Sequence, residues 1–178
     1  MPIFVGLDIG TTGVKSTLFD HEGRISAYAY EEYDLERPGE GMFELNPHAL
    51  LQAAKKVLRQ SAAAAQHPAA AVCITSFGET VFLTDAQGEP LMNGMIYMDK
   101  RGAAEAEELK SQFGFEAIAE TTGVKPHAMY SVPKLMWLSK HKPEVKQRAR
   151  RAFFVADFIA FHLGAGHITD YSLAARSM

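Results

Sequence analysis

The chain has 178 residues, of which 47% are hydrophobic and 22% charged, the balance of an ordinary globular protein of one domain or at most two. Its formal net charge of −3 gives no electrostatic reason to expect nucleic acid or an anionic membrane as a partner, so a small anionic ligand would need a local positive site. The single cysteine, Cys73, excludes an internal disulfide and fits a reducing compartment; residues 1–10 lack the basic start and small-residue cleavage site of a signal peptide, and no apolar stretch reaches the length of a transmembrane helix.

Ile3 to Ile9 reads as a buried strand and Val14 to Phe19 as its antiparallel partner. Between them, Asp8-Ile9-Gly10-Thr11-Thr12-Gly13-Val14-Lys15-Ser16 sets one carboxylate beside a tight Gly/Thr turn. Gly10 and Gly13 allow backbone angles that aim successive N–H groups into one concavity, and the Thr11 and Thr12 hydroxyls add donors, a set that suits a polyphosphate. Asp8 can hold Mg²⁺ through water, and Lys15 offers a point charge to a phosphate oxygen. The spacing is not that of a P-loop, which needs Gly-x-x-x-x-Gly-Lys-Ser/Thr opening a helix, whereas here the strand-like Ser16 to Phe19 follows. A plain Gly-rich hairpin turn is the competing reading of these residues.

Asp20-His21-Glu22-Gly23 turns the chain into a third strand from Arg24 to Tyr30, and the same Asp-x-x-Gly device recurs at Asp85 to Gly88 after the strand-like Thr80 to Thr84. Asn46-Pro47 caps and opens a helix whose Leu50, Leu51, Ala54, Val57, Leu58 and Ser61 recur at helical spacing, through to about Gln66. Ala69 to Ser76 reads as a strand buried on both faces in a central parallel position, which makes Cys73 a buried, inert thiol. Helices follow at Gly102 to Phe113, Glu116 to Thr121 and Ser131 to Lys140. A short basic helix from Pro143 to Arg151 allows a Glu144–Arg148 pair at i,i+4. A short strand at Ala152 to Val155 and a helix at Asp157 to Leu163, stopped by Gly164, complete the order. With no linker, low-complexity run or repeat, residues 1–178 read as one continuous α/β lobe.

Ser76-Phe77-Gly78-Glu79-Thr80 falls at the C-terminal end of the expected central strand, where open α/β sheets place ligands. Other chemistries fail on inspection. The seven histidines form no spaced ligand pair and no Cys/His cluster, so a zinc site is not indicated. There is no Gly-x-Ser-x-Gly elbow, and Cys73 has no evident activating partner.

The nonapeptide from Asp8 to Ser16 resembles the first phosphate motif of the actin, hexokinase and Hsp70 ATPase superfamily, and most closely that of the FGGY carbohydrate kinases. Gly41-Met42-Phe43-Glu44-Leu45-Asn46-Pro47 is similar to that family's Gly-Trp-x-Glu-x-x-Pro, and Tyr97-Met98-Asp99-Lys100-Arg101 to its Trp-x-Asp-x-Arg. Pro133 to Leu138, Asp157 to Gly164 and Thr169-Asp170-Tyr171-Ser172-Leu173-Ala174 follow in the family's order. The resemblance covers essentially the whole chain. It implies a ribonuclease H-like α/β lobe, a mixed sheet with flanking helices, matching the expected order of three antiparallel strands, a helix and a further strand.

The activity so implied is ATP-dependent phosphorylation of a sugar, sugar acid or polyol hydroxyl, with ATP and Mg²⁺, in the cytoplasm, by an enzyme that leaves room for a homodimer. Asp8 would hold the metal, Asp8 and Lys15 would be catalytic, and Gly10, Thr11, Thr12, Gly13 and Lys15 would bind the phosphates. Gly78, Glu79, Thr80, Asp99, Arg101 and Tyr130 would face the acceptor, Glu79 by accepting hydrogen bonds from its hydroxyls. The loop matches neither the Gln-Arg-Glu-Thr of glycerol kinases nor the Gln-Met-His-Gly of xylulokinases: Gly78 stands in place of the arginine and the histidine is absent. Tyr130 is offset by one residue from the family's tyrosine, and Asp99 with Arg101 reads equally as a structural ion pair. The family's general base is an aspartate in a Gly-Asp segment downstream of the Thr-Asp stretch, so the resemblance implies the front part of a longer kinase, and Asp170 matches the structural Thr-Asp rather than a base. A non-catalytic sugar or nucleotide module and a nucleotide hydrolase of the same fold stay open at this point.

Overall fold

The computed structural model describes residues 1–65 and 67–178. In chain order it contains β1 (Ile3–Ile9), β2 (Gly13–Phe19), β3 (Ile25–Glu32), β4 (Glu44–Leu45), α1 (Pro47–Ala62), β5 (Ala69–Ser76), β6 (Val81–Thr84) and β7 (Gly94–Met95). It continues with α2 (Ala103–Phe113), α3 (Phe115–Thr122), α4 (Ser131–His141), α5 (Pro143–Arg148), β8 (Arg151–Phe154), α6 (Val155–His162) and α7 (Tyr171–Ala175). Two compact units result, one from residues 1–34 and 47–77, the other from residues 35–46 and 78–178. No described helix is long and apolar enough to cross a membrane.

The first unit is a mixed sheet in the order β3-β2-β1-β5, with β1 antiparallel to β2 and parallel to β5, and β2 antiparallel to β3. Strand alternation sends Val5, Leu7, Ile9, Val14, Ser16 and Leu18 to one buried face. There α1 packs with Leu50, Ala54 and Val57 buried, and the Ser16 and Ser61 hydroxyls satisfy each other at 2.6 Å. The same alternation places Asp8 and Lys15 on the other face, directly opposite one another in register and both exposed. After Ala62 the backbone tightens, with Ala64 N–H donating to Ser61 O and Ala65 N–H to Ala62 O, so α1 ends short of the expected limit; Gln66 itself lies outside the described residues.

Two expectations for β5 are corrected. It is parallel to β1 as read from the sequence, but it lies at the edge of the four-stranded sheet rather than in its centre, and Ala69 to Cys73 are exposed. Cys73 is accordingly an exposed thiol and not a buried one. An apolar run of strand length reads the same whether it is flanked on both sides or on one, and α1 packs mainly over β2 and β3.

The second unit contains two short antiparallel ribbons, β4 with β7 and β6 with β8, and the helices α2 to α7. Phe82, Phe153 and Phe158 are its bulkiest fully buried side chains, with the Phe82 and Phe158 rings 5.0 Å apart. Drawing Arg151–Phe154 into the ladder with β6 ends α5 at Arg148, three residues before the expected limit. Among the described residues Glu144 and Arg148 form no ion pair. Both expected Asp-x-x-Gly turns form. Asp20 Oδ1 accepts from the Glu22 and Arg24 N–H groups at 2.8 and 2.9 Å, Asp85 Oδ1 from those of Gln87 and Glu89 at 2.9 Å, and Gly23 and Gly88 take the left-handed position at φ 79° and 89°.

Candidate active site

The β1–β2 turn is closed by Gly10 N–H donating to Gly13 O at 2.9 Å, so the Gly10 N–H is spent inside the turn. Neither Gly10 nor Gly13 has a positive φ. The need for glycine at position 13 is one of space: a Cβ there would lie 2.6 Å from Glu31 O and 2.6 Å from the Tyr30 hydroxyl oxygen. Tyr33 braces the turn from behind, its N–H donating to Thr12 O at 3.3 Å and its hydroxyl to Gly10 O; burial, with the neighbouring Tyr30, pushes the Tyr33 pKa up. Among the described residues, the Thr11 and Thr12 N–H groups and hydroxyls and the Asp8 carboxylate make no hydrogen bond, and Lys15 forms no ion pair. The hairpin therefore presents a carboxylate, an ammonium and a row of free donors on a braced support.

Glu79 stands out among the remaining candidates. It is 2% exposed and holds φ at +65°, a left-handed conformation that costs a non-glycine residue roughly 1–3 kcal/mol. Its Oε1 receives Arg176 Nε at 3.3 Å. Burial raises its pKa, opposed by Arg176, by the Lys134 charge and by the Ser131 N–H at the first turn of α4. Among the described residues, Glu79 Oε2, the hydroxyl of the adjoining Thr80 and that of Ser131 are buried without a hydrogen-bond partner. Each such atom costs about 1–3 kcal/mol unless a ligand or water meets it. Gly78, which stands where the glycerol-type pattern has arginine, would bring a Cβ to 3.9 Å from Arg176 Nε, so a guanidinium from the far end of the chain lies beside this position.

Asp99 and Arg101 form a closed structural group. Asp99 Oδ1 accepts from Arg101 N–H and Nε at 2.9 Å each, and Oδ2 from Phe43 N–H at 2.8 Å and Arg101 Nη2 at 2.6 Å. Arg101 Nη2 also donates to Glu44 Oε1 at 2.7 Å, and its guanidinium lies 5.2 Å from the centre of the Trp137 ring. Burial pulls the Arg101 pKa down, but Asp99 and Glu44 outweigh it and hold it up. The pairing of β4 with β7 thus joins the Gly41–Pro47 and Tyr97–Arg101 stretches that the sequence presents 50 residues apart. Tyr130 is the half-buried N-cap residue of α4. Asp170 caps α7, accepting from Leu173 N–H at 2.9 Å, a structural use of its carboxylate.

Lys134 escaped the sequence reading. It is 4% exposed, and its ammonium donates to Ile96 O at 2.7 Å, Met129 O at 2.8 Å and Glu79 O at 3.4 Å. Arg176 escaped it too. Lys134 sits inside the apolar stretch Pro133 to Leu138, where a lysine reads as a side chain reaching out to water, and no spacing rule links Arg176 to Glu79.

The chain matches the profile of the FGGY family of carbohydrate kinases, N-terminal domain, over residues 3–178. A glycerol kinase of Thermococcus kodakarensis is 33% identical over 181 residues, covering 98% of this chain and 36% of the relative. Among solved structures, a xylulose kinase from Rhodospirillum rubrum superposes with a TM-score of 0.94 at 26% identity, covering 98% of this chain and 36% of that one. A gluconate kinase from Lactobacillus acidophilus gives 0.93 at 25% identity, covering 99% and 36%. The chain thus spans about a third of the length of these relatives.

Proposed function

The chain belongs to the FGGY family of carbohydrate kinases, and on that premise we propose that the enzyme of which it is a part transfers the terminal phosphoryl group of ATP to a hydroxyl of a sugar, sugar acid or polyol. The observation that carries the acceptor half is the group around Glu79: a buried carboxylate on strained backbone, with three unpartnered buried oxygens on Glu79, Thr80 and Ser131. A polyol offers hydroxyl groups that donate to the carboxylate and exchange hydrogen bonds with the two side-chain hydroxyls. Gly78 lets the Arg176 guanidinium lie beside the loop, Tyr130 supplies an aromatic wall, and the Asp99–Arg101 pair holds the segment beside them.

The donor half rests on the braced hairpin. Thr11 and Thr12 donate to phosphate oxygens, the Gly10–Gly13 turn shapes their approach, and Lys15 balances charge. Asp8 is an exposed carboxylate beside this turn, and a single carboxylate with water and phosphate oxygens is the kind of set that Mg²⁺ accepts. When bound, the metal neutralises charge on the phosphates. ATP as donor points to the cytoplasm as the place of reaction.

Replacing Asp8 tests this assignment. Asp8→Ala in the intact enzyme should abolish phosphoryl transfer, by about a thousandfold or more in kcat, while acceptor binding measured by calorimetry changes by less than about threefold. Wild-type turnover in that variant would remove Asp8 from the reaction.

A further inference from the structure

We propose that Lys134 is a positioning residue for the acceptor, a tie that sets Glu79, the segment leading to Asp99 and the segment leading to Tyr130 in register with one another. The inference rests on the reading of Gly78–Thr80 as the acceptor loop.

An ammonium has three N–H donors and no acceptor. Lys134 directs them at three main-chain carbonyls, of Glu79, Ile96 and Met129. Each carbonyl belongs to a different stretch of chain, and each stretch carries an acceptor-side candidate at or within three residues of it: Glu79 itself, Asp99 after Ile96, and Tyr130 after Met129. Main-chain carbonyls fix backbone position, whereas an ion pair would fix only a side chain. The tie to Glu79 matters most, because that residue holds φ at +65° and a left-handed backbone persists only where its surroundings impose it.

Burying an ammonium is costly, and here three hydrogen bonds to main-chain carbonyls offset that cost. The cost is visible in its titration: burial lowers the Lys134 pKa to about 8, with Asp99 and Glu79 drawing it back up and Arg101 pushing it further down. The array serves stability as well, so what marks a positioning role is a change in the acceptor KM without one in the KM for ATP.

The test uses the intact enzyme with whichever of glycerol, xylulose or gluconate it phosphorylates. Lys134→Met leaves the three carbonyls without this donor and should fold with a lower melting temperature, raise the acceptor KM by about tenfold or more, and keep the KM for ATP within about twofold. Lys134→Gln, which returns amide N–H donors to part of the array, should give an intermediate acceptor KM. An unchanged acceptor KM in folded Lys134→Met, an equal rise in both KM values, or loss of folding in both variants would overturn the proposal. Glu79→Gln is measured alongside. If it raises the acceptor KM and Lys134→Met does not, the positioning role alone fails; if neither does, the acceptor-loop reading fails with it.

Discussion

Glu79 combines two features that stability alone would remove, a left-handed backbone and a carboxylate buried with one oxygen unpartnered. Its partner Arg176 is half exposed, with 53% of its side chain accessible, so their ion pair contributes only about 0.2–1 kcal/mol. Because burial raises the Glu79 pKa above 4.5, the stability it contributes is fully present below pH 4.5 and is lost as pH rises through its folded value. The ionised side chain is therefore a net cost at neutral pH. Glu79→Gln should raise thermal stability at pH 7 by about 0.5–1 kcal/mol, with the difference shrinking as pH falls toward 4, while acceptor affinity drops. Melting curves across that range check both signs, and a variant less stable at pH 7 than at pH 4, relative to wild type, would contradict the assignment.

At the scale of elements, the hairpin makes a separate claim. Gly13 is needed for space, against the main chain of β3, while a Cβ on Gly10 would meet Gly13 O at 3.4 Å, ordinary contact. Gly13→Ala should lower stability by about 1–3 kcal/mol and Gly10→Ala by less than about 1 kcal/mol, both read from urea midpoints. Equal effects would show that backbone angle and not room governs the turn. What the sequence made legible here was local chemistry: the Asp20 and Asp85 turns, the Asn46-Pro47 helix start, and the β1–β2 hairpin with Asp8 beside its turn. Sheet order was not legible, because the apolar run at Ala69–Ser76 carries no mark of how many neighbours it has, and Cys73 was misplaced with it. Nor was the Lys134 array, since its partners are carbonyls that every sequence possesses, brought together only by the fold. Glu79 was found through its motif, whereas Arg176, 97 residues further on, was not.

For the whole molecule, the donor-side candidates Asp8, Thr11, Thr12 and Lys15 all fall in the first unit, and the acceptor-side candidates in the second. A kinase requires both sets, and a general base to take the hydroxyl proton as the phosphoryl group departs. We assign that base to neither Asp170, which is occupied as a helix cap, nor Asp99, whose two oxygens are held by Phe43 and Arg101. The measurement that bears most directly on the account is ADP formation by the intact enzyme with ATP and Mg²⁺, with and without glycerol, xylulose or gluconate. One of these acceptors should raise the rate by about tenfold or more, with the phosphate recovered on the acceptor. ADP formed at the same rate without any of them, with the phosphate released to water, would mark a nucleotide hydrolase and contradict the acceptor site at Glu79.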